Sequence, residues 1–212
     1  MTTALLVIDV QRGLCEGAHR MFESERVIDR INQVSAQARA SGIVVVFIQH
    51  ESTSGSLEFD SDDWQLARGL HAEPTDLHVR KTTCDSFHGT GLHELLEERG
   101  ITDLVVCGMQ TEFCVDTTIR RALALGYPVV LVADAHTTEH NAHLSADQII
   151  AHHNHTLANM ETFGPPRSPD CDQRPSPCGL TLPRKGRPKS AYNFRAHGSR
   201  NGVDAAVFHE PP

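Results

Sequence analysis

Four short runs of branched apolar residues set the terms for this chain. Ala4–Ile8, Ile43–Ile48, Leu104–Cys107 and Val129–Val132 are continuous rather than alternating, as strands buried on both faces require. Between them the apolar residues recur at helical spacing. Val27, Ile28, Ile31, Val34 and Ala38 lead to Gly42, Leu92, Leu95 and Leu96 lead to Gly100, and Glu112–Leu125 leads to Gly126. Leu77–Val79 is a weaker strand, and Ser145-Ala146-Asp147-Gln148 is a capping box that opens a last helix. This alternation predicts an α/β fold: a doubly wound, mostly parallel sheet with helices on both faces, three layers in the Rossmann-like manner. Ligands of such sheets sit beyond the carboxyl ends of the strands, at a switch in strand order. Three strand ends qualify: Asp9, the Lys81 region, and Gly108 to Cys114.

The composition changes near Gly164. Residues 1–164 carry a charge balance of −12 and residues 165–212 one of +4, and nine of the eleven prolines lie in the latter. Residues 1–164 are therefore expected to form one domain. Residues 165–212 read as a Pro/Arg-rich tail, disordered or atypical, with no sheet strand in it. The net charge of −8 argues against nucleic acid as a partner. No apolar run approaches the roughly 20 residues of a membrane span, and no export signal precedes Ala4. Six cysteines without a Cys-x-x-Cys pair fit a reducing cytoplasm better than a disulfide framework.

Asp9 follows an apolar strand directly, which puts an acid at the sheet rim, and Gln11 stands near enough to orient it. Cys114 opens a helix-like run, where a helix dipole would favour its thiolate. Lys81 ends a third strand, and a cation beside a thiol stabilises the thiolate. Each has an ordinary reading as well: a capping acid, a buried small hydrophobe, a solvated surface charge.

The blocks that contain them carry a resemblance. Leu5-Leu6-Val7-Ile8-Asp9-Val10-Gln11, Lys81 with Asp85-Ser86-Phe87, Gly89-Thr90-Gly91-Leu92, Gly108-Met109-Gln110-Thr111-Glu112-Phe113-Cys114-Val115, Gly126-Tyr127-Pro128-Val129 and Ala133-Asp134-Ala135 stand in the order of the isochorismatase-like cysteine hydrolases. The chain resembles their amidohydrolase branch, with N-carbamoylsarcosine amidohydrolase and streptothricin hydrolase-like proteins, over about residues 4–164. The resemblance implies a triad of Asp9, Lys81 and Cys114. It also implies a cis peptide between Met109 and Gln110, and an oxyanion hole from the Gln110 and Cys114 amides. The expected reaction is cleavage of a C–N bond in a small amide, ureide or lactam through a thioester. The alternatives are isochorismate-type ether hydrolysis, whose enzymes lack the cysteine, and a non-catalytic binding or scaffold protein of the same fold.

Nicotinamidases of this family carry Asp-x-His after the second strand, where this chain has Gln49-His50-Glu51. No metal and no other cofactor is therefore expected. His50, Glu51, Trp64, Phe87 and Gln11 are taken to line the substrate pocket. His136, His140 and His143 are spaced like one helix face, and His152, His153 and His155 cluster, but both groups read as surface histidines. The expected partners are a small-molecule substrate and further copies of the chain, in a dimer or tetramer, with no membrane.

Overall fold

The computed structural model describes residues 2–18, 20–160 and 163, together with the backbone of Ala191–Phe194. Strands β1 (Thr3–Ile8), β2 (Val44–His50), β3 (Leu77–Lys81), β4 (Asp103–Met109), β5 (Val129–Thr137) and β6 (Ala191–Phe194) form one sheet in the order β3-β2-β1-β4-β5-β6. All neighbours are parallel. The order reverses between β1 and β4, so the switch point lies between Ile8 and Gly108, which pair in register.

The period of two along β1 divides the core. Ala4, Leu6 and Ile8 face one layer, with Leu92 and Leu96 of α3 (Leu92–Glu98), Ile119 and Ala122 of α4 (Asp116–Ala124), and Leu157 of α5 (Ala146–Ala158). Leu5 and Val7 face the other, with Val27, Ile28 and Ile31 of α2 (Ser24–Ala40) and with Cys15 at the end of the single turn α1 (Arg12–Cys15). Helices on both faces explain why the runs in β1, β2, β4 and the first half of β5 are continuously apolar, whereas β3 at the sheet edge alternates. Ser145 caps α5 as expected. Its Oγ accepts from the Gln148 amide and its own amide donates to Gln148 Oε1.

Three expectations are corrected. The run from Glu112 to Leu125 is not one α-helix. Thr111–Val115 forms a π-helical turn, with the Val115 amide reaching back to the Gln110 carbonyl at 3.1 Å, and α4 begins only at Asp116. His136, His140 and His143 do not share a helix face. His136 is in β5, which runs five residues past Val132 because its far end pairs with Gly108 and Met109 after a break in register that leaves extra residues on β5. The sheet also has a strand beyond Gly164: Ala191–Phe194 pairs with Val129–Val132 in parallel. The register is set strand to strand through the backbone, and a segment of four residues is too short to show a hydrophobic period. The rest of residues 165–212 lies outside the described residues. Among the described residues no helix is long and apolar enough to cross a membrane.

Candidate active site

Asp9 leaves β1 in a left-handed turn, with φ of 53°. Aspartate tolerates this conformation better than most residues. The turn is tied to β2 by the Asp9 amide, which donates to the Ile48 carbonyl at 2.8 Å. The side chain is thereby aimed across the end of β2, not along its own strand. Lys81, last residue of β3, approaches from the far side of β2. Its long stem covers that span, and Nζ donates to Asp9 Oδ2 at 2.7 Å. Both side chains are buried. Lys81 Nζ also lies 3.1 Å from Cys114 Sγ, 3.2 Å from His50 Nδ1 and 3.1 Å from the Thr83 carbonyl oxygen. Asp9 Oδ1 has no hydrogen-bond partner among the described residues. The structure thus brings Asp9, Lys81 and Cys114 together, and it adds His50 and Thr83 to them.

Cys114 sits in the π-helical turn, not at the N-terminus of a long helix. Burial raises its pKa, the Asp9 carboxylate raises it further, and Lys81 only partly opposes them. These influences favour the thiol over the thiolate, against the expectation of a dipole-lowered pKa. For Lys81 burial works against the charge, but Asp9, Cys114 and the hydrogen bonds to them prevail and the ammonium is held more firmly than usual. Burial lowers the His50 pKa and Lys81 lowers it further. Lysine has no acceptor, so His50 Nδ1 must be the acceptor in their contact.

The Met109–Gln110 peptide is cis. The Gln110 side chain turns away, its Nε2 at 3.1 Å from Met21 Sδ. Behind the turn, Thr111 Oγ1 meets His136 Nδ1 at 2.8 Å, and His136 Nε2 meets Asn154 Oδ1 at 3.0 Å. Asn154 Nδ2 donates to the Ala133 carbonyl, which fixes its oxygen toward His136. His136 is therefore a neutral donor to Asn154 and acceptor from Thr111, and burial lowers its pKa to about 4. Nothing in the sequence periodicity singles out this bracket of α5, β5 and the Cys114 turn.

Three of the residues assigned to the substrate pocket, Gln11, Phe87 and Glu51, are engaged elsewhere. The Gln11 amide is fully buried and joins two backbone segments. Its Oε1 accepts from the His50 amide, and its Nε2 donates to the carbonyls of His50 and Trp64. Phe87 packs in the core, stacked on Tyr127 at 6.2 Å, because Asp85 Oδ1 caps its amide and turns it inward. Glu51 pairs with Arg80 at 3.3 Å, and Arg80 in turn covers the Phe59 ring. Gln49 Nε2 donates to the Trp64 carbonyl at 3.0 Å, a contact that an aspartate in this position could not make. The Trp64 ring borders a cavity of about 610 Å³ with Gln49, His78, Arg80 and Thr90, at the outer edge of β3.

The Isochorismatase domain family matches residues 3–165. A streptothricin hydrolase of Streptomyces noursei is 43% identical over 136 residues, which are 64% of this chain and 49% of that one. Ureidoacrylate amidohydrolase RutB of Methylobacterium radiotolerans is 29% identical over 76% of this chain and 74% of its own. The crystal structure of an isochorismatase family protein superposes with a TM-score of 0.71 and 42% identity, over 74% of this chain and 94% of that one. The chain spans about half the length of the streptothricin hydrolases it matches, 49% of one and 54% of the other.

Proposed function

The chain belongs to the isochorismatase family, and from that membership we propose that it is a cysteine hydrolase that cleaves a C–N bond in a small amide, ureide or lactam. One observation carries the reading. Lys81 bridges Asp9 and Cys114 through one carboxylate oxygen and the sulfur, while the other carboxylate oxygen is buried and has no hydrogen-bond partner among the described residues.

In this mechanism the thiol proton passes to Asp9 Oδ1. The thiolate forms beside the Lys81 ammonium and attacks the substrate carbonyl carbon. The C=O electron pair moves onto oxygen, which accepts from the amides of Gln110 and Cys114. Collapse of this intermediate breaks the C–N bond, and Asp9 returns its proton to the leaving nitrogen. A water molecule, deprotonated by Asp9, then attacks the thioester and frees the acid and the thiol. The raised thiol pKa fits this order, because the proton needs to leave only when substrate is in place. The free thiols of Cys15, Cys84, Cys107 and Cys114 suit a reducing compartment such as the cytoplasm.

The test is a panel of small amides, ureides and lactams, with streptothricin included, scored by amine release and by intact mass. Wild type should release amine and carry a transient acyl adduct on Cys114. Cys114→Ala should do neither, and Asp9→Asn should lose about 10²–10⁴-fold in rate. Turnover by Cys114→Ala at the wild-type rate would remove the covalent mechanism.

A further inference from the structure

We propose that Asp9, His50 and Cys114 form a latent site for a thiophilic divalent cation, zinc above all, which Lys81 guards with its own charge, so that zinc inhibits this protein rather than serving it.

Among the described residues, one carboxylate oxygen, one imidazole nitrogen and one thiol sulfur lie within 4.8 Å of one another here. They differ in kind, and together they are a set that zinc favours and that magnesium or calcium, which prefer oxygen alone, does not. Zinc bonds of about 2.0–2.3 Å place tetrahedral ligands roughly 3.3–3.7 Å apart, so the donors need close by no more than about 1.5 Å. Each is already presented inward. Asp9 is 1% exposed, and its Oδ1 has no hydrogen-bond partner among the described residues. His50 directs the lone pair of Nδ1 at Lys81, the same lone pair that a metal would take.

Lys81 Nζ stands 2.7, 3.2 and 3.1 Å from Asp9 Oδ2, His50 Nδ1 and Cys114 Sγ. The ammonium thus fills the point on which the three donors converge. A dication cannot share it. Zinc must displace Lys81 toward the cleft, or take its place as the amine gives up a proton. In either case the Cys114 S–H bond breaks, a Zn–S bond forms and that proton leaves to solvent, with no change of oxidation state. The fourth corner is left to water.

The binding claim goes beyond the hydrolase reading and does not require it. The test titrates the full metal-free chain with Zn²⁺, and with Co²⁺ as its coloured substitute. Thiolate-to-cobalt charge transfer in the near ultraviolet reports a Cys114–metal bond, and protection of Cys114 from iodoacetamide reports zinc. Wild type should take one ion. Cys114→Ser should lose the band, His50→Ala should bind at least about tenfold more weakly, and Lys81→Met should bind at least about tenfold more tightly. No band in wild type, a band that survives Cys114→Ser, or affinity unmoved by both His50→Ala and Lys81→Met would overturn the proposal. The first two comparisons decide it even where Lys81→Met does not fold. If no amide is cleaved and these shifts are still found, the hydrolase reading fails and the metal site stands.

Discussion

Gly108 packs its bare Cα against the backbone of Ile8, so closely that a Cβ on Gly108 would lie 2.1 Å from the Ile8 carbonyl oxygen. Its φ of +119° is also one that side chains rarely adopt. The contact joins β1 to β4 one residue before Asp9 and two before Gln110. Gly108→Ala should therefore destabilise the chain by about 3 kcal/mol or more. Urea unfolding followed by Trp64, the one tryptophan, measures it. A loss below about 1 kcal/mol would mean that the strands part without cost.

Alkylation of Cys114 should be slow at pH 7 and climb only above the ordinary thiol range of about 8–9. The sign follows from the raised pKa: the proton is held more tightly than in a free thiol, so less thiolate is present at any given pH. Lys81→Met removes both the charge and the hydrogen bond that favour the anion, and should shift the profile further upward. Peptide mapping after timed iodoacetamide exposure reads both. A profile below that of a free thiol contradicts the geometry.

His136 couples folding to acid. Its pKa is about 4 when folded and near 6.5 when not. The unfolded chain therefore binds a proton first as pH falls, and the contribution of the neutral, hydrogen-bonded ring is complete above pH 6.5. It is lost between about 6.5 and 4, amounting to about 3 kcal/mol. His136→Gln should thus be less stable than wild type at pH 7 by a margin that narrows at pH 5. A constant margin across that range would show that the ring is not desolvated.

Arg39 holds Asp76 in a two-pronged ion pair at 3.0 and 2.7 Å, and the Asp76 side chain is buried. Removing the arginine strands a buried carboxylate. Arg39→Leu should cost about 3 kcal/mol in urea unfolding, and Arg39→Leu with Asp76→Leu should recover part of it. Equal loss in the single and double variants would mean that packing, not charge, is lost.

Turnover should survive dialysis against a strong chelator, since the Gln49 amide is committed to the Trp64 carbonyl where an aspartate would be needed for a metal. Loss of turnover, restored by zinc, iron or manganese, would reverse that reading of Gln49.

Strand ends were legible in the sequence because an apolar run stopped by Asp9, Lys81 or Gly108 marks the rim of a parallel sheet wherever the rest of the chain goes. Orientation was not. Gln11 and Phe87 sit beside reactive positions in sequence, yet their side chains answer to the His50 and Trp64 backbones and to Tyr127, partners set by tertiary packing. His50 lies against Lys81, because strand register decides which of Gln49 and His50 faces Asp9. The bracket of Thr111, His136 and Asn154 leaves no periodic trace, since each residue comes from a different element.

Lys81 reaches Asp9 from an outermost strand, 72 residues away in the chain, with β2 between them. A strand with one neighbour frays more readily than those inside the sheet. The charge cluster should therefore dissolve under milder denaturant than the sheet itself, as β3 peels while β1 and β4 remain paired. In such a molecule competence is a local equilibrium. The working fraction is set by how often five residues at the rim are zipped, and amide exchange along Leu77–Lys81 would track it more faithfully than any global melting curve.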